Sequence, residues 1–327
     1  AKVDMGELFV DDRYRGAHGI GRYAAEVLPR LRSAWRPLGL DGRPSSPRDS
    51  LRAVPVGADT VIYSPGYGAF VRAQRQILTV HDLIHLRQPF PARMKFLAYY
   101  NGPVRRAIKR AGVVLTVSDT SAQEIREWID DDNVRVVNAG NGCSAAFRPT
   151  LQTEPSSQPY ILFVGNMRSH KNFDVVLRAL AHAPDVKVNA VVPRRERAEA
   201  EGSAARHGVA SRVRWLHDID DDRLADLYRG AAATVMPSTL EGFGLPALES
   251  IACGVPVLYW RGCAAVAEVV GDRGWALSSA HDAEEWAAAL STALSMSRRV
   301  QPPGTAHDWD RTARVVSDVI ESVLPTR

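Results

Sequence analysis

Pro237-Ser238-Thr239-Leu240-Glu241-Gly242-Phe243-Gly244-Leu245-Pro246-Ala247-Leu248-Glu249, running on through Ser250-Ile251-Ala252-Cys253-Gly254-Val255-Pro256-Val257, is the stretch whose reading decides the fold. Ala232 to Met236, just ahead of it, is a short apolar run suited to a buried parallel strand. Gly242 and Gly244 then give a loop whose backbone can lie close to a ligand. Pro246 suits the first position of a helix, where no N–H is needed, and Gly254 suits its C-terminal cap. Strand, loop, helix and strand are therefore expected, with Glu241 in the loop and Glu249 in the helix. Loop amides added to a helix N-terminus suit anions and sugar hydroxyls.

Two glutamates suggest an acid/base pair, but their spacing argues against one. At about 1.5 Å of rise per helical residue, and more along the loop, they stand something like 10 Å apart. Glycosidase carboxylates flank one bond at roughly 5 to 9.5 Å. Two hydroxyl-binding carboxylates with a charged linker between them, as in sugar, diphosphate and ribose, fit the spacing better. A buried strand–helix corner with one solvated and one capping Glu fits it equally well.

The chain has 327 residues, more than one typical core, so two domains of about 150 residues each are expected. A 45% apolar and 24% charged composition is ordinary for a globular enzyme, and no run of about 18 apolar residues suggests a membrane span. The first residues show no signal-peptide pattern, and the three scattered cysteines suit a reducing cytosol and form no metal or disulfide pattern. Residues 1–150 carry 22 Lys and Arg against 15 Asp and Glu, within a total formal charge of +4. A basic first half allows an anionic partner or a weak contact with an anionic membrane surface, although a solvated face is the commoner case. The basic residues are spread out and no nucleic-acid module accompanies them, so no nucleic-acid partner is expected.

In chain order, a strand over Glu7 to Asp11 leads through Gly19-Ile20-Gly21-Arg22-Tyr23 into a helix, a turn that lets backbone approach a phosphate or that serves packing alone. Residues 36 to 56 read as loops. Strands follow at Thr60 to Tyr63 and Gln76 to Val80, the second delivering His81 to the crevice side of a sheet. Arg93 to Arg110 reads as two helical pieces broken at Gly102-Pro103, with a basic, partly aromatic face. After the strand Val113 to Val117, Ser121 and Glu124 have capping-box spacing. The Pro- and Ser-rich stretch from Phe147 to Pro159 reads as a linker. Tyr160 to Gly165 is a buried strand that hands Asn166, Arg168 and Lys171 to a helix start, an arrangement suited to a diphosphate. Alternating strands and helices through both halves imply two parallel, doubly wound sheets. The runs Asp130 to Asp132 and Asp218 to Asp222 are assigned to helix capping rather than to metal.

These residues resemble the retaining GT-B glycosyltransferases of family four (glycosyl transferases group 1), through Gly19 to Tyr23, Val80-His81-Asp82, Val117-Ser118, Gly165 with Lys171-Asn172, and Pro237-Ser238 leading to Glu241 and Glu249. The resemblance implies two Rossmann-like domains facing a cleft: an acceptor-binding domain over 1–148, a nucleotide-sugar-binding domain over 149–306, and a C-terminal helix over 307–327 crossing back to the first. It implies that Glu241 binds donor-sugar hydroxyls with the amides of Gly242, Phe243 and Gly244. Glu249 would bind ribose, Lys171 and Arg168 the diphosphate, and His81 the sugar, with Gly19, Gly21, Gly165, Asn166, Leu216 and Leu245 also lining the donor. Asn166 stands where the family often has its phosphate arginine. The implied reaction needs neither a protein nucleophile nor a divalent metal.

The expected function is transfer of a mannose- or rhamnose-type sugar to a glycan, lipid-linked or small-molecule acceptor, in the cytoplasm or at the inner membrane face. The alternative is a non-catalytic nucleotide-sugar-binding or partner subunit with the same fold. A Rossmann dehydrogenase is set aside because residues 16 to 40 lack a complete Gly-x-Gly-x-x-Gly turn followed by an acidic residue.

Overall fold

A computed structural model describes residues 6–325 apart from 17–18, 45–46, 56, 58, 88–92, 151–158, 297 and 305–306. It divides into two units, residues 1–142 with 306–327, and residues 143–305. The first break comes after Gly142, earlier than the position after Arg148 at which the linker was expected. Phe147 explains the difference, since it is buried with Leu162, Leu227 and Tyr228 in a core of the second unit. Most of the expected linker, 151–158, lies outside the described residues.

Among the described residues, the strands of the first unit are β1 (Glu7–Val10), β2 (Trp35–Pro37), β3 (Thr60–Ser64), β4 (Gln76–Leu78), β5 (Val113–Thr116) and β6 (Arg135–Asn138). They form a sheet of order β2-β1-β3-β4 and a pair β5-β6, joined by a parallel bridge from Thr79 to Leu115. All pairings are parallel. β2 overlaps the start of the stretch expected to be loop. At three residues with Pro37 at its end it is a short edge strand, which leaves little periodic signal. The helix Trp309–Val323 belongs to this unit, with Trp309 buried against Tyr23 at 6.1 Å between ring centroids.

Two local expectations change. The capping box is set one turn too late: Ser118, in extended backbone, is the N-cap of the helix Asp119–Ile129 and accepts from the Ser121 N–H at 3.0 Å. Two helical pieces do flank Gly102-Pro103, and what joins them is a π-turn rather than a loop. Tyr100–Val104 forms a π-turn between the helices Arg93–Tyr99 and Arg105–Ala111, where the extra residue accommodates the missing N–H of Pro103. Several basic side chains of this region are held by the protein. Arg105 donates to Ile129 O, Arg110 to Val71 O, and Lys109 pairs with Asp131, which favours the solvated-face reading over a membrane contact.

The second unit contains, among the described residues, β7 (Ile161–Val164), β8 (Val188–Val191), β9 (Val213–Leu216), β10 (Ala233–Met236), β11 (Val257–Trp260) and β12 (Gly274–Leu277). Their order is β12-β11-β10-β7-β8-β9, all parallel. Alternate residues of β7 feed two cores. Ile161 and Phe163 pack with the helices Phe173–His182 and Ala283–Met296, including the fully buried Trp286. Leu162 packs with Tyr228 and Leu224 of the helix Asp221–Gly230. Period-two burial on both faces is the physical content of a doubly wound sheet. No helix among the described residues is long and apolar enough to cross a membrane.

Candidate active site

β7 and β10 are neighbours, yet the chain leaves β7 toward β8 and β9 and leaves β10 toward β11 and β12. The carboxyl ends of such a pair form the crevice in which open parallel sheets bind ligands. Two loops leave there, residues 165–172 and 237–244, and they are tied to each other. The Thr239 N–H donates to His170 O at 2.8 Å, and Asn172 Nδ2 donates to Pro237 O at 3.1 Å and to Ala280 O at 2.7 Å. Asn172 does this from left-handed backbone, φ 53°, which Asn tolerates better than most residues.

The tie brings Lys171 to Glu241. Lys171 Nζ donates to Glu241 Oε1 at 2.6 Å, and Ser238 Oγ donates to the same oxygen at 2.6 Å. The two charged side chains are 15% and 10% exposed, so the pair is largely withdrawn from water. The chain then turns at Gly244, φ 102°, into the helix Leu245–Ala252, with Pro246 in its first turn. Cys253 caps that helix, and Gly254 takes the left-handed position after it, φ 78°, as its glycine allows. Glu249 lies on this helix, 4% exposed, and accepts from the Tyr228 hydroxyl at 2.9 Å. Burial first, and then the negative Glu249, hold the Tyr228 phenol well above its ordinary pKa. Phe243 is itself buried, so its ring belongs to the interior of the unit.

The residues after β7 are placed differently from one another. The Gly165 N–H is used by the sheet, donating to Val191 O at 3.1 Å. Asn166 Oδ1 accepts from the Arg168 N–H at 3.2 Å, so its side chain shapes the turn. Arg168 is exposed. At the end of β9, Leu216 O accepts from Val192 N, and Asp218, in left-handed backbone at φ 53°, pairs with Arg194 at 2.6 Å. Asp220 accepts from the Arg223 N–H, the capping role expected of the acidic run.

His81, Gly19 and Gly21 lie in the first unit. His81 Nε2 donates to Pro65 O at 2.9 Å, and its ring meets Tyr23 edge-on at 4.8 Å. Gly19 opens the helix Gly19–Val27. Gly21 has a packing reason for its identity, because a Cβ there would stand 2.3 Å from Gly16 O. Within the second unit the structure brings together Lys171, Glu241 and the Gly242–Gly244 loop. Ser238, Asn172 and Tyr228 are the supporting residues that sequence reasoning gave no role.

Two wholly parallel α/β units with a polar site at the strand-order reversal are the architecture of GT-B glycosyltransferases. The structure of Anabaena HepE in complex with UDP matches at a TM-score of 0.64 with 16% identity, covering 97% of this chain and 100% of that one. The model of the family described as "Glycosyl transferases group 1" matches residues 150–315, and the chain belongs to that family. It is 29% identical over 244 residues to O-antigen chain mannosyltransferase B of Escherichia coli, covering 66% of this chain and 60% of that protein. It is 30% identical over 263 residues to D-inositol 3-phosphate glycosyltransferase of Acidothermus cellulolyticus, covering 69% of this chain and 58% of that protein. The matched stretch thus spans less than two thirds of either relative's length.

Proposed function

We propose that the protein is a retaining glycosyltransferase that moves a mannose- or rhamnose-type sugar from a nucleotide-sugar donor to the hydroxyl of a glycan, lipid-linked or small-molecule acceptor. The observation that carries this reading is the Lys171–Glu241 pair at the strand-order reversal, with Ser238 on the same carboxylate oxygen. A donor diphosphate competes with Glu241 for Lys171 and recruits the exposed guanidinium of Arg168. Both cations then act where negative charge develops as the glycosidic bond breaks. Glu241 is left to accept from the donor-sugar hydroxyls, and Glu249 accepts from the ribose. The bond from C1 to the diphosphate oxygen breaks, the bond from C1 to the acceptor oxygen forms on the same face, and the acceptor proton passes to the departing phosphate. His81 is assigned a sugar contact by the family resemblance. A mannosyltransferase among the relatives supports the donor lean.

The test is donor turnover by the purified chain with GDP-mannose, dTDP-rhamnose and UDP-glucose, with and without EDTA. One donor is expected to turn over, equally well in EDTA, and Glu241→Gln and Lys171→Ala are each expected to reduce turnover by about 100-fold or more. Nucleotide binding without turnover in every case points to the non-catalytic subunit. Undiminished turnover in both variants overturns the site assignment.

A further inference from the structure

We propose that Tyr228 is a positioning residue for nucleotide binding, its hydroxyl fixing the Glu249 carboxylate in the direction that receives the ribose diol. The inference rests on the reading that Glu249 takes the ribose. A carboxylate 4% exposed is costly unless hydrogen bonds satisfy it, and a phenol donating to an ionised acceptor is among the stronger neutral donors available. Tyr228 donates to Glu249 Oε2 at 2.9 Å from a different helix, Asp221–Gly230, while Glu249 stands on Leu245–Ala252.

The phenol is a fixed reference point. Tyr228 is fully buried, its ring meets Phe147 edge-on at 5.8 Å, and its helix is anchored by the Asp220 cap. A glutamate has three side-chain torsions, and its own helix does not settle the outermost one. The hydroxyl of Tyr228 does, by holding one carboxylate oxygen. A vicinal diol donates two hydrogen bonds in a set geometry, so a carboxylate that loses the restraint from Tyr228 binds it less well. Tyr228 is thereby expected to control recognition of the ribose and to leave the diphosphate contacts of Lys171 and Arg168 alone.

The experiment is calorimetric titration of the full chain with GDP, UDP and dTDP and with the 2′,3′-dideoxy analogues of GDP and UDP, for wild type, Tyr228→Phe, Glu249→Gln and the double variant. Tyr228→Phe is expected to weaken whichever ribonucleotide binds by about tenfold, the loss of one hydrogen bond to a charged group, and to change dideoxynucleotide binding by less than about twofold. Donor KM rises correspondingly while kcat is retained. In the Glu249→Gln background, which has no buried charge to strand and so keeps a folded comparison available, Tyr228→Phe is expected to add less than about twofold. Equal weakening of both nucleotide types, no weakening of either, or a full additional loss in the Glu249→Gln background overturns the proposal. Failure of the wild type to bind GDP, UDP or dTDP overturns the donor-site reading itself, binding of dTDP alone, which has no 2′-hydroxyl and so no ribose diol, overturns the proposal, and failure of Glu249→Gln alone to weaken ribonucleotide binding overturns the role given to Glu249.

Discussion

Glu241 receives two donors on one oxygen, Lys171 Nζ and Ser238 Oγ, each at 2.6 Å. With both ionic partners at most 15% exposed, the pair is held largely out of water, and the arrangement stabilises only while both charges remain. Lys171→Met leaves a withdrawn carboxylate without its cation and is expected to lower the unfolding free energy by about 3 kcal/mol. Lys171→Met with Glu241→Gln removes both charges and is expected to be less destabilised than Lys171→Met by itself. Urea denaturation of the two single variants and the double checks this, and additivity of the single effects would show that the pair is not coupled. The placement of Glu241 in a loop and of Glu249 in the following helix was legible in the sequence, because the glycine and proline spacing specifies a loop and a helix start. Tyr228 was not. Its position on an amphipathic helix says that the ring is buried, but nothing in periodicity says which atom its hydroxyl meets 21 residues on.

Among the elements, strands and helices bounded by glycine, proline or a long apolar run were legible, as at Thr60–Ser64 and Val113–Thr116, each within one residue of its expected bounds. The elements that differ are short or locally irregular. β2 has three residues, and the π-turn at Tyr100–Val104 depends on how the chain accommodates Pro103 within a continuous helix. The helix Trp309–Val323 shows its apolar stripe in the sequence, and its seat is made by a glycine elsewhere. A Cβ on Gly142 would stand 2.4 Å from Trp309, closer than any side chain allows, so the indole packs directly on backbone. Arg32 adds ion pairs to Asp318 and Glu321 from outside. Those pairs are exposed and contribute little, which leaves the buried face of the helix, Trp309 with Ala313, Val316, Val319 and Ile320, as the main attachment. Gly142→Ala is therefore expected to destabilise the first unit by about 1–3 kcal/mol, the usual range for overpacking, and to expose Trp309. Intrinsic fluorescence and thermal melting read both effects, and a native melting temperature in the variant would mean that the helix is seated by other contacts.

For the whole molecule, the doubly wound architecture was legible from the alternation of strands and helices, because a short apolar run buried on both faces is the pattern only a covered parallel sheet produces. The same burial has a consequence at high pH that no motif announces. Burial pushes the thiols of Cys253 and Cys263 and the phenol of Tyr23 up to about 12, against ordinary values of 9 for the thiols and 10 for the phenol. Tyr14, Tyr63, Tyr100 and Tyr228 are likewise raised well above the ordinary phenol value by burial. A raised folded-state value means that the unfolded chain has released its proton while the folded protein keeps it. The stability from these groups is thus complete below about pH 9 and is lost as the pH climbs through about 12. Each such group steepens the decline by up to about 1.4 kcal/mol per pH unit. Replacing Cys253 and Cys263 together by Ala is expected to lower stability at pH 8, through two small cavities, and to flatten its fall between pH 9 and 11. Urea denaturation across that range separates the two effects, since the cavity term shifts the whole curve and the titration term changes its slope. An unchanged slope would show that the thiols already ionise in the folded protein, which their burial against Ala225 and beneath the Glu241 loop argues against.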